Sequence, residues 1–267
     1  MEQIFKNGTM AQIDDFFFEA NRVVGITDED YRRAQPYVEA ARAFAQTTYQ
    51  TIYIIDYHRR GFLYVSDNPL FLCGHTADEV LRMGYAFYLS HVPEEELPML
   101  TELNRAGFRA FDDVPTADRP HCMMSYDFHI TASESSGIAA DRPLLINHKI
   151  TPLVFAPDGR VWLALCTVSL SSHKGAGHIE FRRLGIPGKR IYSLAAHRWQ
   201  PCADVALRPE EKQVLVLAAQ GYTIQEIADF LCRGTDTVKH YRRQIFQKLA
   251  AQSITEALAY ATNYGLL

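Results

Sequence analysis

The sequence predicts an α+β chain: N-terminal helices, then an antiparallel-sheet domain, then an all-α domain of four short helices. Three observations carry this. After Pro209 apolar residues recur at i, i+3, i+4 and i+7, the period of helices with one buried face. Over residues 51–172 the pattern is instead one of β-branched and aromatic runs broken by turn residues. The length of 267 residues suits two domains that each bury a core.

Composition narrows the function classes. With 48% hydrophobic, 22% charged and 12% aromatic residues the chain is globular, not disordered. Net charge is −4, so binding to a polyanion requires a local basic patch. The five cysteines, Cys73, Cys122, Cys166, Cys202 and Cys232, form no CxxC pair, which points to neither a cysteine zinc site nor a disulfide framework and fits a reducing cytoplasm. The opening "MEQIFKNGTM" lacks a basic region followed by an apolar core, and no run approaches the roughly 18 apolar residues of a spanning helix. The expectation is a cytoplasmic protein with neither export nor membrane insertion.

Residues 1–50 read as helical, "DYRRAQPYVEAARAFAQTTY" most clearly, with the main helix starting at Pro36 because proline fits badly inside a helix. Phe16, Phe17 and Phe18 read as packing residues. "TIYIIDY" and "GFLYVSD" form a hairpin through "HRR". A segment of short helices follows, in which Thr76 caps "ADEVLRM". Three more strands are expected at "CMMSYDFHI", "LLINHKITPLVF" and "RVWLALCTVSL", the last two joined by "APDGR". Gly, Ser and His in "SSHKGAGH" read as the start of a linker over 173–203, and "RIYSLAAHRWQP" adds at most one strand.

In the C-terminal part Pro209, Glu210 and Glu211 suit a first helical turn and Gly221 the residue after a helix end. Val214, Leu217 and Ala218 face inward. Thr223 and Glu226 form a capping box for a second helix with Ile224, Ile227, Ala228 and Leu231 inward. "CRG" turns into a third helix, residues 235–249, with Val238, Tyr241, Ile245 and Leu249 on one stripe and Phe246 at its edge. Lys239, Arg243 and Gln247 share another face, with His240 close by. A second capping box at Ser253 and Glu256 opens a fourth helix whose Ile254, Ala257, Leu258 and Ala261 point inward.

Short helices around a tight turn, the later one with an exposed basic face, fit a major groove about 12 Å wide. Within a C-terminal domain expected over 204–267, residues 207–267 resemble the LuxR-type (GerE-like) helix-turn-helix domain of bacterial transcription regulators. Glu211, Val214, Leu215, Gly221, Glu226, Ile227, Ala228, Thr237, Val238, Lys239, Ile245, Lys248 and Leu249 stand in the family's order and spacing. The resemblance implies that 235–249 is the recognition helix, with Lys239, His240 and Arg243 at base edges and Thr237, Arg242 and Lys248 at phosphates. It further implies double-stranded DNA as a partner, a homodimer, and RNA polymerase as a candidate contact. Arg208 and Gly234 stand where the family commonly has capping Ser or Thr, which weakens two helix starts.

Residues 51–172 resemble a PAS domain through "YVSDNPLFLCGHTADEVL" and the closing strand pair around Asp158 and Gly159. This implies a five-stranded antiparallel sheet that encloses a small ligand or pairs two protomers. No cofactor is expected and no metal site. His75, His91, His121, His129 and His148 carry no haem motif and read as surface or satisfied strand residues. Cys73 lacks a flavin-binding motif and reads as a small buried residue. Nothing resembles a GxSxG element, zinc-ligand spacing or a paired nucleophile and base, so an enzyme is not expected. A phosphoacceptor receiver is likewise not expected. The function expected is a DNA-binding regulator modulated by a ligand or partner at the PAS-like domain; the alternative is a constitutive DNA-binding dimer.

Overall fold

The computed structural model describes residues 13–131 and 143–267. The chain divides into two compact units, Met1–Cys202 and Ala203–Leu267.

In the first unit, helix α1 (Asp28–Ala45) starts at Thr27, whose hydroxyl accepts the Asp30 N–H while the Asp30 carboxylate accepts the Thr27 N–H. Pro36 therefore lies inside α1, not at its start. The cap at Thr27 and burial of Ala34, Val38 and Ala41 along one stripe outweigh the one helical hydrogen bond that proline removes.

Strands β1 (Thr51–Asp56) and β2 (Gly61–Val65) form the expected hairpin. Helices α2 (Pro69–Leu72), α3 (Ala77–Met83) and α4 (Ala86–His91) follow, then α5 (Leu97–Asp112). Asn68 caps α2, and Thr76 with Glu79 caps α3. Strands β3 (Cys122–Ile130), β4 (Leu144–Phe155) and β5 (Val161–Leu170) match the three expected runs.

The chain then departs from the expected linker. Strands β6 (Gly177–Arg183), β7 (Lys189–Ser193) and β8 (Arg198–Cys202) extend the same sheet, whose order is β2-β1-β5-β4-β3-β6-β7-β8 with every neighbour antiparallel. The first five strands are the five-stranded antiparallel sheet that the PAS resemblance implies. The extension holds because it packs on α5: the Trp199 indole N–H donates to the Ala106 carbonyl at 3.1 Å, Arg190 to that of Ala110 at 3.0 Å, and the Tyr192 hydroxyl to Glu102 at 2.9 Å. A buried Lys189–Glu180 pair ties β7 to β6.

Strand β1 is buried along its whole length because helices cover both faces. On one face the Tyr53 ring stacks on Phe71 of α2 at 4.7 Å. On the other, the buried Asp56 carboxylate accepts from the Tyr31 hydroxyl of α1 at 2.6 Å and from the Trp162 indole of β5 at 3.2 Å. Phe16 and Phe17 are buried in this core, as expected. No helix among the described residues is long and apolar enough to cross a membrane.

His148 is fully buried on β4, its Nε2 at 2.5 Å from the Tyr53 hydroxyl. Burial lowers its pKa to about 3. The unfolded chain takes up this proton below the ordinary histidine value of 6.5 while the native state does not, so stability is present above that pH and lost as pH falls below it. Between pH 7 and pH 5 the wild type should therefore lose about 2 kcal/mol more than His148→Phe does. Urea unfolding followed by tryptophan fluorescence measures this, since both tryptophans, Trp162 and Trp199, lie in this unit.

Candidate nucleic-acid interface

The second unit holds α6 (Pro209–Ala219), α7 (Ile224–Phe230), α8 (Thr235–Leu249) and α9 (Ile254–Asn263). Each start has its own chemistry. Arg208 offers α6 no side-chain cap, but its N–H donates to the Glu211 carboxylate at 2.7 Å. Thr223 and Glu226 close the expected box on α7. Gly234 gives α8 no side-chain cap. Between α7 and α8 the chain reverses through Cys232 in the left-handed region at φ 51°, and the Arg233 N–H reaches back to the Ala228 carbonyl at 2.9 Å.

Helix α8 has two faces. Val238, Ile245 and Leu249 are buried against Val214, Leu215, Ile227, Ala257 and Ala261 from the other three helices. Tyr241 and Phe246 pack at the edge of that core. Lys239, His240, Arg243 and Gln247 are exposed together on the opposite side.

Within that face the charges differ in availability. Lys239 meets Asp236 at 3.1 Å, but both are exposed, and such a pair is worth at most about 1 kcal/mol, so the ammonium is readily given up to a stronger partner. Thr237 and Arg242 are half-buried at the face's margin. The Arg242 guanidinium lies 5.8 Å from the centroid of the Phe246 ring, so its stem lines the core edge while its charge stays outside. Arg233, to which the sequence assigned no role, is exposed in the turn just before α8.

The Lys248 ammonium, expected at a phosphate, bonds the Glu211 carboxylate at 2.7 Å and the Ala206 carbonyl at 3.0 Å. Glu211 is 1% exposed, so Lys248 neutralises a buried charge. Burial alone would raise the Glu211 pKa, but the bonds from Lys248 and Arg208 outweigh it and hold the carboxyl below the ordinary glutamate range. The sequence showed Lys248 at a helix C-terminus but not Glu211, 37 residues earlier, across from it.

The first unit holds a cavity of about 80 Å³ between α4, α5 and the sheet, lined by Tyr57, Tyr85, Tyr88, Tyr126, Asn104 and apolar side chains. Burial raises all four tyrosines far above their ordinary range, so they stand as neutral hydrogen-bonding groups.

The five histidines weighed as ligand groups do not converge. His75 and His91 meet at 2.9 Å, His129 bonds Glu96 at 2.6 Å, His148 bonds Tyr53, and His121 is exposed. Cys73 is buried, and burial pushes its thiol up to about 12, which leaves it unreactive.

Residues 206–261 match the GerE family model, described as bacterial regulatory proteins, luxR family. The C-terminal unit is a LuxR-type helix-turn-helix domain. Among curated proteins the chain is similar to the response regulator GacA of Pseudomonas protegens, 28% identical over 148 residues, 49% of this chain and 70% of GacA. GacA of Pseudomonas viridiflava matches at 28% over 149 residues with the same coverage. Among solved structures the chain is similar to the VqmA dimer of Vibrio cholerae, with 15% identity, a TM-score of 0.33 and coverage of 85% of this chain and 88% of that one. The phage VqmA–DPO complex gives 17% identity, a TM-score of 0.31 and coverage of 88% and 90%.

Lys248→Met should lower the stability of the LuxR-type unit by about 2 kcal/mol, because Glu211 keeps its burial and loses its cation. Native-state hydrogen exchange of the α6 and α8 amides reads this out. The pair's contribution is present above the ordinary glutamate pKa of 4.5 and lost as pH falls through the lower folded value, so the difference between wild type and variant should shrink below pH 4.5. Unchanged stability together with a DNA-binding salt slope lowered by one unit would return Lys248 to the phosphate contacts.

Proposed function

We propose that the protein binds duplex DNA as a homodimer, with α8 in the major groove, and that a small uncharged ligand in the N-terminal cavity modulates this binding. The observation that carries the DNA-binding part is the exposed set Lys239, His240, Arg243 and Gln247 opposite the buried Val238, Ile245 and Leu249. Lys239 and Arg243 donate to guanine O6 and N7, and His240 reads a neighbouring base edge. Thr237 and Arg242, at the margin, hold phosphate oxygens, and Arg233 joins them from the turn. Two such helices about 34 Å apart suit a two-fold operator. RNA polymerase is a natural further contact for a regulator seated there.

The ligand reading rests on the cavity's chemistry. Neutral hydroxyls and an amide among aromatic walls suit an uncharged polar molecule and disfavour an ion, which would be desolvated without a countercharge. Such a ligand shifts DNA binding only if it binds the two states of the protein with different affinity.

The decisive experiment uses duplexes selected from a random library by the wild-type chain. Lys239→Ala with Arg243→Ala should abolish preference for the selected duplexes and leave the circular dichroism spectrum unchanged. Full-strength selective binding by this double variant would sink the recognition-helix assignment. Arg242→Gln should weaken all duplexes alike and flatten the salt slope by about one unit; a loss confined to particular sequences would contradict its phosphate role. Native mass spectrometry of freshly purified protein tests the other half: a reproducible small-molecule adduct on a dimer is expected, and a clean dimer whose DNA affinity no extract alters would leave a constitutive regulator.

A further inference from the structure

The segment "SSHKGAGH", expected as a linker, connects β5 to β6 and brings His173 and His178 to Asp127 of β3. One ligand atom from each of the three lies within 4.8 Å of the other two. Asp127 is fully buried. Its Oδ2 is 2.5 Å from His173 Nδ1, and its Oδ1 accepts from the Asn147 amide at 2.7 Å. Asn147 also donates to the Ser125 hydroxyl at 2.9 Å, so the carboxylate is oriented from behind by a second layer of hydrogen bonds. The imidazoles of His173 and His178 stack with centroids 3.8 Å apart and planes within 5°.

A simple ion pair would account for Asp127 and His173. It does not account for His178. That residue sits at φ 48°, in the left-handed region, which a non-glycine residue occupies at a cost of about 1–2 kcal/mol. It follows Gly177, also at positive φ, opposite Asp127 where the β3–β6 register shifts between Ser125 and Asp127. Such an irregularity re-aims a side chain. Here it turns His178, at the start of a strand, onto the face of His173 beside a buried carboxylate.

We propose that Asp127, His173 and His178 form a binding site for a divalent transition metal of the Zn²⁺ class, with solvent at the remaining position. Two imidazoles and one carboxylate are the donors that such an ion takes, whereas Ca²⁺ and Mg²⁺ prefer oxygen sets. Metal–ligand bonds of about 2.0–2.2 Å place tetrahedral donors roughly 3.3–3.6 Å apart, and each imidazole holds an ion in its own ring plane, so closure requires an inward shift of about 1 Å and rotation of the His178 ring out of its stack on His173. His178, exposed at its outer side, is free to make it. The bound ion would clamp the β5–β6 connection to β3. This site is independent of the DNA-binding reading.

The test uses the untagged full-length chain, stripped with a chelator and titrated with Co²⁺, which reports tetrahedral coordination through its visible absorption. One equivalent should bind with that absorption, Zn²⁺ should displace it, and Zn²⁺ should raise the thermal midpoint followed by tryptophan fluorescence. His178→Ala and His173→Ala should each lower the affinity at least about tenfold and remove the absorption while circular dichroism stays unchanged. His178 carries the most weight here, because its exposed side chain leaves the core intact when truncated. Co²⁺ binding by His178→Ala with wild-type affinity and spectrum would overturn the proposal, and so would absence of binding by the wild type at about 10 μM free metal. His75→Ala should leave the titration unchanged, which separates this site from the His75–His91 pair.

Discussion

Helix α8 presents one face to solvent and packs the other against three helices, and the Glu211 carboxylate ties its last turn to α6. It sits in the first turn of α6, buried, and receives the Arg208 N–H from the chain entering that helix and the Lys248 ammonium from the last turn of α8. Lys248 also bonds the Ala206 carbonyl. One acid thus joins the segment before α6, α6 itself and the end of α8. A buried carboxylate is tolerated only when its desolvation is offset by such donors. Arg208 offers no side-chain acceptor to the first-turn amides, and Glu211 supplies the other half of a capping box by accepting the Arg208 N–H.

The same economy recurs in the first unit. Asp56 is buried at the end of β1 and accepts from the Tyr31 hydroxyl, the Trp162 indole and the His58 and Arg59 N–H groups, which binds α1, β5 and the hairpin turn together. Around the cavity the buried polar groups are neutral, whereas Asp127 and the Lys189–Glu180 pair lie on β3, β6 and β7. Tyr53, Tyr88 and the uncharged His148 form a hydrogen-bonded chain behind the cavity wall.

What could be read from the sequence was whatever rests on local spacing. The stripe Val238, Ile245, Leu249 and the exposed Lys239 and Arg243 follow from the helical period alone, and Thr76, Thr223 and Ser253 announced their helices by the acid three residues on. What rests on distant neighbours was hidden. Nothing local pairs Lys248 with Glu211. Pro36 argued correctly about one lost hydrogen bond and was outweighed by the cap at Thr27 and a buried stripe. Residues 173–203 looked like a linker because their strands are short and rich in Gly, Arg and His; their reason to pair lies in α5, where Glu102, Ala106 and Ala110 receive Tyr192, Trp199 and Arg190. The bond of Asp127 to His173 spans 46 residues, and His178 comes beside it where the β3–β6 register shifts, which periodicity does not encode.

The charge distribution completes the account of how an acidic chain serves a DNA-binding domain. Net charge is −4, so the long-range field does not draw the whole molecule to a polyanion. At about 0.15 M salt the field falls off over roughly 8 Å, and within that distance of the α8 surface the local side chains dominate. On α8 itself Lys239, Arg242 and Arg243 share the helix with one acid, Asp236, exposed and already paired with Lys239. A large basic surface would hold the protein on any duplex by counterion release. A small one, with one of its lysines committed to a buried acid, gains less from phosphates in general and leaves a larger share of the binding energy to base edges. On the proposed reading, selectivity follows from sparing the basic charge as much as from placing it.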